Sequence, residues 1–205
     1  MSHSDPRTAH MVAAVLLGYP DERLYQGMSV LAEAVAELPA GQVRERLSAF
    51  LRHVADTDPE ELAAHYVATF DLKRRCCLYL TYYAHGDTRK RGAALLRFKH
   101  ALHAAGLELA DGELPDHLAV VCEMSARGAV RAAGRLLTGH RAGIEVLRAA
   151  LEEEGSPYAD VVAAVLVTLP PAGPREQEAM LRLAAQGPPA EAVGLEPYAI
   201  MEAGR

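Results

Sequence analysis

Tryptophan is absent from the 205-residue sequence, and only three phenylalanines and three cysteines are present. An odd number of cysteines, two of them adjacent, excludes a disulfide framework. No apolar run approaches the roughly 20 residues that a membrane span requires. The first ten residues also lack the basic and then apolar layout of a secretory signal. From these absences we expect a reduced, cytoplasmic protein.

The apolar half of the sequence consists mainly of Ala, Leu and Val, and charged residues make up 23%. Ala, Leu and the abundant Arg all favour helices, and no alternating strand pattern occurs. We therefore predict an all-α fold, a single-domain helical bundle of roughly eight to ten helices. The domain is expected to span residues 1–187. The Pro- and Gly-broken residues 188–205 are expected to form a flexible C-terminal tail.

Positive charge is concentrated in residues 66–102, although the whole chain carries a formal charge of −6. Between Asp71 and Lys99 there are eight Lys or Arg and two Asp. Residues 66–102 also hold four of the eight tyrosines and two of the three cysteines. A basic, aromatic helical hairpin in an acidic body indicates a recognition element. The acidic balance of the whole chain argues against nucleic acid as the main partner.

Punctuation residues place the helices around this hairpin. Asp21 predicts the start of one helix that runs to about Leu38. Asp87 or Thr88 predicts the start of another, which runs to about Ala105 and stops at Gly106. Asp58 and Pro59 predict a helix start that puts Tyr66 and Phe70 on its inner face. Residues 75–83 are predicted to form a central helix that is apolar on nearly all sides. Pro115 is expected to open a later helix, with Asp116 in its first turn.

Arg91 projects from the buried stripe of the next predicted helix and would need a carboxylate partner. Asp71, Asp87 and Asp116 are the three candidates.

No catalytic or metal-binding constellation is recognised. Cys76 and Cys77 point about 100° apart on a helix, so they cannot hold one ion as a C-x-x-C pair does. They lie among Leu and Tyr, where a free thiol behaves as a small buried hydrophobe, so a structural role is predicted for both. The nine histidines form no H-E-x-x-H set, and there is no nucleophile elbow or glycine-rich phosphate loop. We therefore predict that the protein is not an enzyme and binds no metal. A helical enzyme that uses Cys76 or Cys77 is the alternative that these residues leave open.

The run DLKRRCCLYLTYYAHGDTRKRGAALLRFK (71–99) and the E-L-P-D-H segment (113–117) resemble the delta-type nitrate reductase assembly chaperones, the NarJ family. Weaker similarity extends to LLGYPDERL near the N-terminus and to GPPAEAVGLEP in the tail. Glu113, Pro115, Asp116 and His117 match the family's E-x-P-D-H motif. Tyr66 and Phe70 match the ends of an aromatic-x-x-Leu-Phe motif, in which Thr69 replaces the usual leucine.

The resemblance implies a non-catalytic, all-helical cytoplasmic chaperone. It would bind the N-terminal segment of the nitrate reductase alpha subunit in its apo form and keep it competent for insertion of the molybdenum bis-guanine-dinucleotide cofactor. The resemblance implies no permanently bound cofactor, since the client receives it, and no insertion of the chaperone into the membrane. The cofactor-insertion machinery is a second expected partner. A chaperone for another molybdoenzyme or for a twin-arginine signal peptide, with or without a bound nucleotide, is the alternative.

The client segment is expected to be a short amphipathic helix that lays its apolar face into a groove. The predicted apolar lining is Tyr66, Phe70, Tyr79, Tyr83 and Phe98, and the predicted charged rim is Arg75, Arg89, Asp116 and His117. Glu113 and Pro115 of the E-L-P-D-H segment are also predicted to contact the client. The motif also has a structural interpretation, in which Asp116 pairs with Arg91 and His117 caps a neighbouring helix. The sequence leaves the two interpretations open.

Overall fold

The computed structural model describes residues 5–86, 88–109 and 112–187, and these residues are predominantly helical. No β-strand occurs among them apart from one isolated bridge between Tyr79 and His117. The predicted all-α fold is confirmed, and the predicted tail, residues 188–205, lies outside the described residues. The α-helices are α1 (Arg7–Leu16), α2 (Glu22–Gln26), α3 (Met28–Ala36), α4 (Gln42–Asp56), α5 (Pro59–Tyr66), α6 (Leu80–His85), α7 (Lys90–Ala104), α8 (Leu118–Met124), α9 (Val130–Gly139), α10 (Arg141–Glu153), α11 (Tyr158–Val167) and α12 (Pro174–Gln186).

Twelve α-helical segments occur in the described ranges, more than the eight to ten expected, because some expected helices are divided. Gly27 separates α2 from α3, where one helix was predicted. Two π-helical turns, Val67–Asp71 and Ser125–Ala129, follow α5 and precede α9. No helix in the part of the chain that the structure describes has the length and apolarity needed to cross a bilayer.

The start of α5 follows the predicted capping pattern. The Asp58 carboxylate accepts hydrogen bonds from the backbone N–H groups of Glu60 (2.9 Å) and Glu61 (3.4 Å), and Pro59 occupies the first helical position. These bonds satisfy N–H groups that have no partner within the helix. The cap fixes where α5 begins and thereby directs Tyr66 inward.

The central helix of the bundle is α11, which packs against α1, α4 and α10. Its residues 161–166 are all buried, because neighbouring helices cover it on nearly every side. At its start, Tyr158 joins an aromatic cluster, with ring centroids 4.7 Å from Phe50 and 4.9 Å from Phe70. Tyr66 lies 4.8 Å from Phe70 and donates a hydrogen bond from its hydroxyl to the Leu17 carbonyl. Tyr66 of α5 and Phe70 of the following π-helical turn thus contribute mainly to the core.

A buried histidine connects three elements of this core. His10 of α1 is 2% exposed; its Nδ1 lies 2.7 Å from the Ser125 hydroxyl and its Nε2 lies 2.8 Å from the Thr168 hydroxyl. The Thr168 hydroxyl donates to the Val165 carbonyl, so it accepts from an Nε2–H. Nδ1 is then the acceptor for Ser125, which begins the second π-helical turn. The network therefore requires a neutral His10.

The free energy of unfolding is expected to depend on pH through His10. Burial lowers its pKa from 6.5 to about 4 in the folded protein. The unfolded chain then binds more protons between these values, so the contribution of His10 is complete above pH 6.5 and is lost as the pH falls towards 4. The total loss is about 3 kcal/mol. Urea unfolding of the wild type and of His10→Gln at several pH values measures it. The variant should show a flatter pH dependence; equal slopes would contradict the assignment.

Candidate binding groove

The E-L-P-D-H segment is held by backbone hydrogen bonds to the segment that precedes α6. The Leu80 N–H donates to the Asp116 carbonyl and the Leu118 N–H donates to the Leu78 carbonyl, both at 2.9 Å. Tyr79 and His117 face each other in the isolated antiparallel bridge. These contacts join two segments that are more than 30 residues apart in sequence and fix the start of α8 against the start of α6.

Asp116 supplies the N-terminal cap that α6 does not have in its own sequence. Tyr79 occupies the N-cap position without a side-chain hydrogen bond. Instead, the fully buried Asp116 carboxylate accepts hydrogen bonds from the Thr81 backbone N–H (3.1 Å) and the Thr81 hydroxyl. Arg91 completes the arrangement: its Nε donates to the Thr81 hydroxyl at 3.2 Å and its guanidinium lies 4.0 Å from the carboxylate. Of the three carboxylates considered as partners for Arg91, the structure thus brings Asp116 close, whereas Asp87 lies outside the described residues.

His117, and not Asp116, stands at the start of the following helix. Helix α8 begins at Leu118, so the prediction of a helix opened by Pro115 is wrong; residues 114–117 form a turn. The His117 Nδ1 accepts a hydrogen bond from the Ala119 N–H at 3.3 Å. It therefore caps the helix that it begins, whereas a neighbouring helix was predicted. Burial lowers the pKa of His117 against the opposing charge of Asp116, so the ring is neutral at pH 7 with its proton on Nε2.

The predicted helix over residues 75–83 is also wrong. A single 3₁₀ turn, Arg74–Cys76, is followed by extended backbone up to Tyr79, and α6 starts only at Leu80. The extended conformation arises because the backbone of Leu78 and Leu80 is bonded to the turn at residues 114–117.

The two cysteines in this region fit the structural role predicted for them. Cys76 is buried and Cys77 is partly buried, and both thiols are free. Burial raises the pKa of the Cys76 thiol, which makes it a poor nucleophile. Within the described ranges no group of His, Cys, Asp or Glu is arranged to hold a metal ion.

A groove of about 470 Å³ opens beside this junction, between α1, the end of α5 and α8. Its apolar surface includes four partly exposed side chains: Met11 (38%), Val15 (40%), Tyr19 (55%) and Leu114 (37%). Such side chains are normally buried, and here they form one continuous patch. We call it the apolar groove; it is lined by Met11, Ala14, Val15, Gly18, Tyr19, Tyr66, Tyr79, Gly112, Glu113, Leu114, His117, Ala119, Val120 and Glu123.

The charged groups in the lining of the apolar groove are acidic. Glu113 and Glu123 contribute carboxylates, and Glu123 is paired with Arg127 at 2.7 Å. The same two glutamates and Val120 also line a second concavity of about 220 Å³, whose apolar surface includes Leu107. Glu108 and Arg127, the partner of Glu123, complete the charged lining of this second concavity.

Four of the predicted site residues line the apolar groove: Tyr66, Tyr79, Glu113 and His117. The rings of Tyr79 and His117 meet edge to face, with their centroids 5.2 Å apart. The Arg91 guanidinium lies over the Tyr79 ring, 5.6 Å from its centroid. This stacking positions Tyr79 as part of the groove wall.

The other predicted residues lie elsewhere. The expectation that Tyr83 and Phe98 line the groove is corrected, because both are core residues, 2% and 0% exposed. Tyr83 donates its hydroxyl hydrogen bond to backbone carbonyls before α6. Asp116, predicted at the rim, is buried beneath it. The remaining placements are Phe70 in the aromatic cluster, Pro115 buried in the turn, and Arg89 exposed before α7.

Arg75 was predicted at the rim and instead binds the C-terminal end of α10. Its guanidinium lies 3.0 Å from Glu153 and 3.2 Å from Glu154. Lys73 also pairs with Glu154. Part of the basic charge of the hairpin is thus used to hold the segment before α6 against α10.

Helix α1 forms one wall of the apolar groove, and it was missed at the level of sequence. Val12, Ala13 and Leu16 of α1 are buried, whereas Met11 and Val15 on another side are partly exposed. A signal was present, since TAHMVAAVLLG is apolar on more sides than one buried face requires.

The fold and the groove define an all-α protein with an open apolar groove, the arrangement in which helical domains hold a segment of another chain. The chain belongs to the nitrate reductase delta subunit family, whose sequence model matches residues 36–164. It is 31% identical to the probable nitrate reductase molybdenum cofactor assembly chaperone NarJ of Bacillus subtilis over 176 residues, which are 86% of this chain and 96% of that protein.

Two further relatives match over smaller shares of their own length. The nitrate reductase-like protein NarX of Mycobacterium tuberculosis is 41% identical over 158 residues, 76% of this chain and 23% of that protein. The nitrate reductase molybdenum cofactor assembly chaperone NarJ of Escherichia coli K12 is 35% identical over 120 residues, 57% of this chain and 50% of that protein. The chain thus spans nearly all of the Bacillus relative, half of the Escherichia one and about a quarter of NarX.

Proposed function

We propose that this protein is a non-catalytic assembly chaperone for a nitrate reductase. It binds the N-terminal segment of the catalytic alpha subunit in the apolar groove while that subunit is in its apo form and awaits molybdenum cofactor. Family membership and the names of the Bacillus and Escherichia relatives support the client class. The cofactor is cargo of the client, so the chaperone needs no resident cofactor of its own.

The observation that carries the proposal is the row of apolar side chains left partly exposed along α1. Met11 and Val15 are four residues apart and therefore lie on one side of the helix, and Tyr19 continues the row past its end. Water contact with this row is unfavourable by about 25 cal/mol per Å² of apolar surface. An amphipathic helix that covers the row removes that contact, which is the source of affinity in helix-in-groove complexes.

The acidic lining favours a client helix whose polar face is basic. Glu113 and Glu123 flank the apolar surface. A Lys or Arg beside the apolar stripe of the client would meet Glu113 and would share Glu123 with Arg127. His117 adds a fixed hydrogen-bond donor, since its Nδ1 is used by the cap and its Nε2–H remains for an acceptor in the groove. The groove thus offers apolar contact together with a defined polar orientation.

We also propose that the protein is cytoplasmic, because it has to bind the client segment before the enzyme is assembled. We further propose that residues 1–187 are sufficient as the binding domain. Fractionation of cells that carry the native gene would test the first statement, and a 1–187 chain with unchanged peptide affinity would support the second.

Calorimetric titration with a synthetic peptide of the alpha-subunit N-terminus tests the proposal directly. Binding at micromolar concentrations with a negative heat-capacity change is expected, because apolar surface is buried. A scrambled peptide of the same composition is the control, and a twin-arginine signal peptide is the competitor. Preference for the twin-arginine peptide would assign another client class. Absence of binding to all peptides would overturn the groove as a binding site.

Val15→Asn is expected to weaken binding of the alpha-subunit peptide at least about tenfold. It replaces a groove side chain by a polar one whose desolvation opposes binding, and burial of a valine contributes on the order of 1.5 kcal/mol. Val30→Asn is the matched control, since Val30 is 66% exposed on α3 and does not line the groove. Calorimetry on both variants measures the effect. Equal affinity of the two variants would show that the peptide binds elsewhere.

A further inference from the structure

A second surface of the protein carries concentrated positive charge and is separate from the apolar groove. Helix α7 and residues 124–140 contain seven Lys or Arg and no Asp or Glu. Two of the seven face carboxylates elsewhere, Arg91 towards Asp116 and Arg127 towards Glu123, and the other five are exposed. The remainder of the chain has 14 Lys and Arg against 27 Asp and Glu, a formal charge of −13. Charge segregated to this degree creates a local positive potential on an acidic protein.

Helices α7 and α9 lie side by side along this surface. The ring of Phe98 in α7 is 5.1 Å from that of His140, which follows α9. Burial lowers the pKa of His140, and the nearby charge of Arg97 adds to the effect. At the opposite end, Ala104 lies across from Gly128 in one concavity. The two helices therefore run antiparallel, with the end of α7 beside the start of α9.

The concavity between them has a floor of small residues and a rim of arginines. Its volume is about 620 Å³. Arg131 and Arg135 lie one turn apart on α9, and Arg97 precedes Ala101 and Ala104 by four and seven residues, so it shares their side of α7. We call it the basic cleft; it is lined by Ala101, Ala104, Ala105, Gly128, Ala129, Val130, Arg131, Ala132 and Arg135.

The two arginines of the basic cleft, Arg131 and Arg135, and Arg97 beyond its edge on α7 are exposed and have no carboxylate partner among the residues that the structure describes. Elsewhere the protein pairs its arginines readily, as in Arg75 with Glu153 and Arg127 with Glu123. Exposed guanidinium groups in a cluster repel one another, and carboxylates from a partner would relieve that repulsion through paired hydrogen bonds.

We propose that the basic cleft is a docking surface for an acidic segment of a second protein. The cleft is too open to enclose a small anion, because small-ligand sites bury most of the ligand surface. Its floor of Ala and Gly lets the backbone of another segment come close between the helices, a contact that a flat bilayer would not make. A segment with glutamates three and four residues apart would place carboxylates against Arg131 and Arg135.

The basic cleft shares no lining residue with the apolar groove. Both surfaces can therefore be occupied at once, and the protein can hold a client segment while it contacts a second protein. The docking of an acidic segment goes beyond the proposed client binding and does not depend on it.

A helix-forming synthetic peptide with glutamates spaced three and four residues apart tests the inference on the full chain. Fluorescence anisotropy is expected to show binding that weakens as salt is raised, and a matched peptide with glutamine in place of glutamate is expected not to bind. Arg131→Gln with Arg135→Gln should weaken binding about tenfold, from the loss of two charge contacts. The control is Arg44→Gln with Arg52→Gln, which removes two exposed arginines from α4.

Several outcomes would overturn the inference. Binding that is the same in both double variants, or the same for the glutamine peptide, would exclude the basic cleft as the docking surface. Tighter binding to phosphatidylglycerol vesicles than to the acidic peptide, lost in the Arg131 and Arg135 variant, would assign the surface to membranes instead. Circular dichroism of each variant checks its fold, which is expected to be retained because the substituted side chains are all exposed.

Discussion

Replacement of Asp116 by alanine is expected to lower the free energy of unfolding by about 3 kcal/mol. The variant loses the acceptor for the Thr81 N–H and hydroxyl, which caps α6, and a missing cap alone costs about 1 kcal/mol. It also leaves Arg91, which is only 20% exposed, without the charge that faces it. Urea unfolding followed by circular dichroism measures the difference.

Two controls separate these effects. Asp116→Asn keeps an oxygen acceptor for Thr81 and removes the charge, so its loss should be clearly smaller than that of the alanine variant. Glu113→Ala changes an exposed residue of the same E-L-P-D-H segment and should stay within about 0.5 kcal/mol of the wild type. An Asp116→Ala variant as stable as the wild type would show that the carboxylate does not cap α6.

The outcome distinguishes the two interpretations of the E-L-P-D-H segment. If Asp116 acts through the cap, its alanine variant should fail in client maturation only to the extent that it unfolds. Peptide affinity measured on the folded fraction should then be close to that of the wild type. His117 differs, because it caps α8 and also lines the apolar groove. One motif therefore combines a structural residue with a residue placed for contact.

Local signals in the sequence were sufficient to predict the fold class and several helix ends. The cap at Asp58 and Pro59 and the end of α7 near Gly106 depend on residues within one turn of the boundary. A single chain segment carries all the information for such a boundary. The predictions over these regions are accordingly confirmed to within a few residues.

The wrong predictions concern contacts between distant segments. Residues 75–83 have an apolar pattern that fits a helix, but the Leu80 N–H donates to the Asp116 carbonyl and the Leu78 carbonyl accepts from the Leu118 N–H. That pairing decides the local conformation and depends on how the whole bundle packs. In the same way, the start of α6 has no capping residue of its own and takes its cap from Asp116.

Aromatic identity also did not separate core from surface. Tyr79 and the edge of the largely buried Tyr66 line the groove, whereas Tyr83 and Phe98, chosen by the same reasoning, lie wholly within the core. Exposure depends on which helix covers each face, and α10 covers Tyr83 through a glycine. The walls of the groove come from α1, α5 and α8, three elements whose proximity no spacing in the sequence indicates.

Gly143→Leu is expected to lower the free energy of unfolding by about 3 kcal/mol or more, the second large effect. A Cβ at this position would lie 2.7 Å from the Cβ and 2.9 Å from the Cγ of Tyr83, closer than carbon atoms approach. Tyr83 is 2% exposed and its hydroxyl binds the carbonyls of Arg75 and Cys77, so the ring has no free space to enter. Urea unfolding measures the loss.

The matched control is Gly134→Leu in α9, where no heavy atom lies within 4 Å of an added Cβ. There the better helix propensity of leucine should stabilise the protein by up to about 1 kcal/mol. The change in the free energy of unfolding on Gly→Leu substitution therefore has opposite signs in α10 and α9. Because Tyr83 anchors the segment that pairs with the E-L-P-D-H turn, Gly143→Leu should also weaken peptide binding in the apolar groove. Equal stability of the two variants would show that α6 and α10 are not in the close contact that holds this wall of the groove in place.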